Sequence, residues 1–94
     1  MSNKDRKFNP QIADKFRELT GQFFKERRLE LGMTQGDLCQ CAGMTQPQLS
    51  RFEEGKQNIT INNLAALAGC LRMEIQYITK DPKSLPGFPD NSRN

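Results

Sequence analysis

The side chains best suited to recognise a ligand by hydrogen bonding are concentrated in residues 46–51, with the sequence Gln-Pro-Gln-Leu-Ser-Arg. If Leu49 faces inward on a helix, the polar groups of this segment face outward or lie on its flanks. Arg51 then has the geometry to donate two hydrogen bonds to guanine, and Gln46 can pair with adenine. The same composition also describes the solvated face of an ordinary helix, so the neighbouring elements must decide between the two interpretations.

A pattern that occurs three times predicts the helices around this segment. In each copy an apolar residue precedes a threonine, a polar residue follows three positions after the threonine, and an apolar residue comes next. Threonine accepts a hydrogen bond from an unpaired N–H in the first turn of a helix, and the flanking apolar residues form a hydrophobic staple. We therefore expect helices to begin after Thr34, Thr45 and Thr60, at about residues 35, 46 and 61, with Gly43 and Gly55 ending the first two.

The first two of these helices are separated by a single-glycine turn, which is typical of a helix-turn-helix. Gly43 can adopt the left-handed conformation that turns the chain within three residues. Gln48 can complete a capping box with Thr45 at the start of the second helix, and Cys39 lies where closely packed helices need a small side chain. Helical periodicity places in the core Leu38, Leu49, Phe52, Leu64, Leu67 and Leu71.

A longer helical pattern precedes the helix-turn-helix. Asn9-Pro10 predicts a helix start, because asparagine caps a helix and proline fits its first position. An apolar stripe with steps of three and four then predicts one helical face: Ile12, Phe16, Leu19 and Phe23. Because glycine weakens a helix interior, we expect Thr20-Gly21 to divide this pattern into an arm (10–19) and a core helix (about 21–31), ended by Gly32.

Residues 72–79 are compatible with two kinds of element. Their alternation of apolar and polar residues and their content of β-formers favour a short strand. A fifth helix is the alternative, because Leu71, Ile75 and Ile78 also match a helical stripe. The remaining segment, 80–94, contains three prolines and few apolar residues, and we expect it to be irregular or disordered.

Composition excludes several classes of protein. Ninety-four residues with 35% apolar content allow one domain with a small core, and the net charge of +3 is compatible with a polyanionic partner. There is no histidine, no Cys-X-X-Cys pair, no phosphate-binding glycine loop and no cysteine–base pair, so we expect neither an enzyme nor a cofactor or metal site. The longest apolar run is too short to cross a bilayer. We also expect the three cysteines to be reduced thiols, with Cys70 as a packing residue.

Three continuous strings resemble the phage-repressor/Cro family, also called the XRE family. They are Leu-Gly-Met-Thr-Gln-Gly-Asp-Leu-Cys from residue 31, Gly-Met-Thr-Gln-Pro-Gln-Leu-Ser-Arg-Phe-Glu-Glu-Gly-Lys from residue 43, and Ile-Thr-Ile-Asn-Asn-Leu-Ala-Ala-Leu-Ala from residue 59. The resemblance covers about residues 20–71. It implies an all-α bundle of four or five helices, whose second and third helices dock on the major groove of double-stranded DNA.

The resemblance also assigns roles to individual residues. Gln35 matches a side chain that contacts a phosphate and braces the recognition helix, while Lys56 and Asn58 match phosphate-contacting positions in the following loop. Arg28 and Glu53 match an internal salt bridge. The residues predicted to contact DNA are Gln35, Thr45, Gln46, Pro47, Gln48, Ser50, Arg51, Lys56 and Asn58.

Two residues within the recognition helix depart from the family pattern. Pro47 occupies an outward position where a polar side chain is more common, so it can pack on a thymine methyl but donates no hydrogen bond. Glu54 lies where a basic or neutral residue is usual, and its carboxylate repels phosphate unless it is paired. Both departures bear on base readout and leave the fold unaffected.

Taken together, these features predict a transcriptional regulator that binds an inverted repeat as a dimer, located in the cytoplasm of a bacterial or phage system and associated with the nucleoid. Its domain would span 10–79, between a mobile N-terminus (1–9) and the tail (80–94). Dimerisation would use either the N-terminal arm or residues 72–79. The alternatives are an antitoxin that also binds a toxin protein, and an interaction adaptor that kept the fold without base readout. We expect no membrane partner.

Overall fold

The computed structural model describes residues 9–81, which form four helices and no strand. The helices are α1 (Pro10–Glu30), α2 (Gln35–Ala42), α3 (Gln46–Glu53) and α4 (Ile61–Cys70). None of them is long and apolar enough to cross a membrane. The expected mobile N-terminus and irregular tail lie almost entirely outside the described residues.

The predicted threonine caps form at all three positions. The hydroxyl groups of Thr34, Thr45 and Thr60 each accept a hydrogen bond from the backbone N–H three residues later, and α2, α3 and α4 begin directly after them. Thr34 has a capping box as well, because the Asp37 carboxylate accepts from the Thr34 backbone N–H at 3.0 Å. This backbone hydrogen bond, together with the one from the Thr34 side chain, lowers the pKa of Asp37.

The turn between α2 and α3 depends on a backbone conformation that favours glycine. Gly43 has a φ of 73°, and its N–H donates to the Cys39 carbonyl at 2.8 Å. The N–H of Met44 donates to the same carbonyl at 3.2 Å, so the end of α2 is closed by two hydrogen bonds. A residue with a Cβ would be strained at this φ, which is why the predicted glycine turn forms here.

The core lies between α2, α3 and α4, with one side covered by α1. Leu38, Leu49, Leu67 and Leu71 are completely buried. The rings of Phe24 from α1 and Phe52 from α3 meet edge to face with centroids 5.4 Å apart. Leu64, the remaining residue of the predicted core, is half-buried and packs against the cluster.

The expected break at Thr20-Gly21 is wrong, since α1 is one continuous helix of 21 residues. Gly21 lies inside it, buried against the C-terminal end of α3. A Cβ at this position would overlap the Phe52 carbonyl oxygen and lie 3.0 Å from the Glu53 carbonyl oxygen. Gly21 therefore permits the close approach of α1 and α3, and the packing of α1 around Gly21, Phe24 and Arg28 outweighs the weak helix propensity of glycine.

Replacing Gly21 by alanine is expected to destabilise the protein by about 1–3 kcal/mol, because the overlap is with backbone atoms that cannot rotate away. The matched control is Gly69→Ala in α4, where an added Cβ meets nothing within 4 Å. That substitution should raise the free energy of unfolding by about 0.5–1 kcal/mol through helix propensity alone. Urea unfolding followed by circular dichroism measures the free energy of unfolding of both variants. Equal changes for Gly21→Ala and Gly69→Ala would contradict the close approach of α1 and α3 at Gly21.

Residues 73–81 form neither the expected strand nor the alternative fifth helix. Arg72 takes a left-handed φ of 56°, which ends α4 and redirects the chain. Arg27 of α1 holds this turn, because its side chain donates to the Leu71 carbonyl at 3.0 Å and to the Arg72 carbonyl at 3.4 Å. A strand also needs a partner for its backbone groups, and no other strand exists among residues 9–81.

The expectation of three reduced cysteines is also wrong, because Cys41 of α2 and Cys70 of α4 form a disulfide. Cys70 is therefore bonded and does not act only as a packing residue. The two bonded cysteines are 29 positions apart, and only the packing of α2 against α4 brings them together. Cys39 remains a free thiol and is buried. Burial raises its pKa, with a further contribution from the negative charge of Glu53.

Candidate nucleic-acid interface

The outer face of α3 presents most of the side chains predicted to contact DNA. Leu49 and Phe52 point into the core and are 0% and 3% exposed, which fixes the rotation of the helix about its axis. This is the orientation that the helical wheel predicts. Ser50 is half-buried, and the residues that face outward are Thr45, Gln46, Pro47, Gln48 and Arg51.

A buried ion pair lies directly beneath this face. The guanidinium of Arg28 in α1 donates to Glu53 in α3 through two hydrogen bonds, Nε to Oε2 at 2.7 Å and Nη2 to Oε1 at 3.0 Å. Arg28 also donates to the Met33 carbonyl at 2.8 Å. Both charged side chains are almost completely buried. The predicted internal salt bridge is therefore present, and it ties α1 to the end of α3.

The ion pair continues to the protein surface through two glutamines. Gln35, at the start of α2, donates from Nε2 to Glu53 Oε1 at 2.9 Å. Its Oε1 in turn accepts a hydrogen bond from Gln46 Nε2 at 3.3 Å. The chain Arg28–Glu53–Gln35–Gln46, which we call the polar relay, thus links a buried charge to the first residue of α3. Each link restricts the orientation of the next side chain.

The polar relay leaves the recognition groups of Gln46 available. One N–H of its amide is used by Gln35, so the Oε1 and the second N–H remain free to accept and donate together. This is the pair of groups that matches the N6 and N7 atoms of adenine. The capping box has a similar effect on Gln48, whose Oε1 accepts from the Thr45 backbone N–H at 3.0 Å and whose amide donors stay available.

The loop after α3 places Lys56 and Asn58 beside α1. The Lys56 backbone N–H donates to the Arg51 carbonyl at 2.9 Å. Asn58 Oδ1 accepts a hydrogen bond from Arg17 Nη1 at 3.0 Å, and Arg17 also pairs with Asp14. Since Arg17 holds the oxygen of the Asn58 amide, the amide donors of Asn58 are left for another acceptor.

Arg17 is the residue of this region to which the sequence analysis assigned no role. It is 41 positions from Asn58, and no local pattern connects the two residues. A hint was available in the helical period, which puts Arg17 on the same face of α1 as the buried Gly21 and Phe24. The contact itself requires the packing of α1 against α3.

The two departures from the family pattern have clear positions in the structure. Pro47 lies in the first turn of α3, where its missing N–H costs no helical hydrogen bond, and its ring is exposed. Glu54 ends α3 and pairs with Lys56 at 3.9 Å across exposed surface. The positive charge of Lys56 therefore offsets part of the repulsion that the Glu54 carboxylate would exert on a phosphate.

Comparison with known proteins supports the structural assignment. The helix-turn-helix family model matches residues 24–78. Among solved structures, the chain is similar to the restriction-modification controller protein C.AhdI from Aeromonas hydrophila, with 27% identity and a TM-score of 0.62. The match covers 64% of this chain and 91% of that protein. No curated protein sequence is significantly similar to this chain.

The family match contains α2, α3 and α4 complete and begins within α1 at Phe24, leaving the first two-thirds of α1 outside it. The matched segment also contains all four residues of the polar relay, Arg28, Gln35, Gln46 and Glu53. The chain therefore belongs to the XRE-type helix-turn-helix family of DNA-binding transcriptional regulators.

Proposed function

We propose that the protein binds an inverted repeat in double-stranded DNA as a homodimer and reads its sequence through the recognition helix, residues 45–54. The observation that carries this proposal is the polar relay, which orients Gln46 from beneath while leaving its recognition groups exposed. A helix face that was only solvated would not need a buried ion pair and a bracing glutamine behind it. Groups held in advance lose less conformational freedom on binding.

Within this proposal each residue takes the role that the family resemblance implies for it. Gln46 and Arg51 contact base edges, adenine and guanine respectively, while Pro47 packs on a thymine methyl. Thr45, Gln48 and Ser50 contribute hydrogen bonds along the same groove. Phosphate contacts come from Gln35 at the start of α2 and from Lys56 and Asn58 in the loop, and these set the position of the helix without reading sequence.

Selection of bound sequences from random duplex DNA, followed by a salt titration of the best binder, tests the proposal. We expect two half-sites in inverted orientation, with centres about one helical turn, roughly 34–36 Å, apart or a multiple of it. If no sequence is enriched and affinity varies only with ionic strength, sequence-specific readout is contradicted.

Replacing Arg51 by alanine is expected to weaken binding to the preferred site by about 1–3 kcal/mol and to relax specificity at one base position. The physical reason is the loss of a bidentate contact that only guanine satisfies. The comparison variant is Lys56→Ala, which should weaken binding to all sequences alike. It should also reduce the slope of log affinity against log salt concentration by about one. Fluorescence anisotropy on matched and mismatched duplexes measures both, and a uniform loss for Arg51→Ala would make it a phosphate contact.

A further inference from the structure

The outward face of α1 is an apolar surface that the helix-turn-helix does not use. Ile12, Phe16, Leu19 and Phe23, which we call the α1 stripe, are between 61% and 73% exposed. They lie on one helical face, roughly opposite the face on which Gly21, Phe24 and Arg28 are buried. The α1 stripe also precedes residue 24, where the family match begins, so it is a feature of this chain in addition to the shared domain.

The segment after α4 extends this surface. Residues 73–77 run beside α1 and form with it an open groove of about 600 Å³, lined by Phe16, Leu19 and Phe23 on one side and by Met73, Ile75 and Tyr77 on the other. Tyr77 is 90% exposed and Ile78 is 85% exposed. The stripe and this segment together expose on the order of 1,000 Å² of side-chain surface, whereas the largest apolar patch of a typical monomer is about 300–600 Å².

We infer that this surface is the dimer interface, and that its occupant is the same surface of a second copy; the inference rests on the proposed function, which requires a dimer on DNA. The spacing of the α1 stripe is 4, 3, 4, which is the spacing of a coiled-coil seam. It reads the same in both directions. A two-fold axis perpendicular to α1, which pairs the two copies of the helix antiparallel, therefore places Ile12 opposite Phe23 and Phe16 opposite Leu19, so the stripe is complementary to itself.

The size of the surface matches what such a dimer requires. A stable interface of standard size buries about 800 Å² on each partner, which is within the area that the stripe and residues 75–78 expose. Asp14, Arg17 and Glu18 lie on other faces of α1 and Lys15 flanks the stripe, so pairing of the four apolar side chains places no charged residue in the seam itself.

The location of the interface is compatible with DNA binding. Since α1 packs against α3 with one face and against its copy with roughly the opposite face, the outer face of α3 stays free in both protomers. Packed helices lie about 8–10 Å apart. Three such contacts separate the two recognition helices: α3 on α1, α1 on its copy, and that copy on its own α3. If they lie in one line, the recognition helices are roughly 24–30 Å apart. That separation approaches the distance between successive major grooves on one side of the duplex, about 34 Å.

The test compares Phe16→Glu with Leu29→Glu, a matched control on the same helix. Leu29 is 56% exposed and lies outside the α1 stripe. Light scattering coupled to size exclusion should give the wild-type chain and Leu29→Glu twice the 10.7 kDa monomer mass. Phe16→Glu should give the monomer mass, with dimer affinity reduced on the order of tenfold or more because the interface must then bury a carboxylate. Circular dichroism verifies that both variants remain folded.

DNA binding separates failure of this inference from failure of the proposed function. Phe16→Glu should keep wild-type affinity for a single half-site and lose cooperative binding to the inverted repeat. If no DNA sequence is bound but Phe16→Glu still dissociates the dimer, the interface stands and the proposed function fails. A Phe16→Glu variant that remains dimeric overturns the interface. A wild-type chain that is monomeric overturns it as well. If that chain dimerises only after residues 82–94 are removed, this segment is the occupant of the apolar surface.

Discussion

Replacing Glu53 by alanine is expected to lower the free energy of unfolding by about 3–5 kcal/mol, which is the usual cost of removing one partner from a buried ion pair. Arg28 would keep its charge in a buried position, with the Met33 carbonyl as its remaining hydrogen-bond acceptor. Gln35 would lose the acceptor of its amide as well. The substitution therefore removes the centre of the polar relay and leaves donors without partners on both sides.

Chemical unfolding of Glu53→Ala, measured beside Glu54→Ala, tests this expectation. Glu54 is the adjacent glutamate, but its side chain is exposed and its ion pair with Lys56 is 3.9 Å long. Loss of such a surface pair changes stability by about 0–1 kcal/mol. Similar small effects for the two variants would mean that the Arg28–Glu53 pair contributes little beyond its packing.

A double variant distinguishes the structural role of the ion pair from its role in DNA binding. Arg28→Met with Glu53→Leu replaces both charges by apolar side chains, which is often neutral or stabilising. Gln35 still loses its acceptor in this variant, so the side chain that holds Gln46 is no longer anchored. We expect stability near that of the wild type, together with a loss of about 1 kcal/mol or more in binding to the preferred DNA site.

The second large effect is expected on breaking the disulfide between Cys41 and Cys70. A cross-link that closes a loop of 29 residues stabilises a protein by about 3–4 kcal/mol in the chain-entropy description, because it restricts the unfolded chain. The closed loop contains the whole of α3 and the turns on both sides of it. Reduction of the wild-type chain, or a Cys41→Ala, Cys70→Ala double variant, should therefore move the urea midpoint to lower concentration.

Cys39→Ala is the control for the disulfide. Its thiol is buried, with a raised pKa, so it is a poor thiolate nucleophile for exchange with the bonded pair. Cys39→Ala should keep the full dependence of stability on reductant. Mass spectrometry after alkylation of the unfolded, unreduced chain should find one reactive thiol. Three reactive thiols together with a midpoint insensitive to reductant would contradict the disulfide.

The starts of α2, α3 and α4 were predictable because their signals are local. Each threonine caps the helix that follows it within three residues, and Gly43 needs only its own φ to close α2. The orientation of α3 was equally accessible, since the burial of Leu49 and Phe52 follows from helical periodicity. The DNA-contacting roles of residues 45–58 remain predictions, although the structure places Gln35 and Gln46 in contact as bracing requires.

The predictions that were wrong all depended on contacts between distant segments. Weak local propensity at Gly21 suggested a break in α1, but α3 packs over this glycine and the helix continues. Alternation within 72–79 suggested a strand, but no partner strand is present among residues 9–81, and Arg27 holds the chain in a different turn. The three cysteines were expected to be reduced, but the packing of α2 against α4 brings Cys41 and Cys70 together in a disulfide.

The sequence by itself determined where all four helices start, how the helix-turn-helix closes and which face of α3 points outward, because caps, glycine turns and periodicity act within a few residues. The family resemblance also indicated the Arg28–Glu53 pair and the bracing role of Gln35. Only the tertiary structure decided the geometry of that pair, which spans 25 positions, and the Arg17–Asn58 contact, which spans 41. Such contacts depend on how α1 packs against α3, and that packing is a property of the whole bundle.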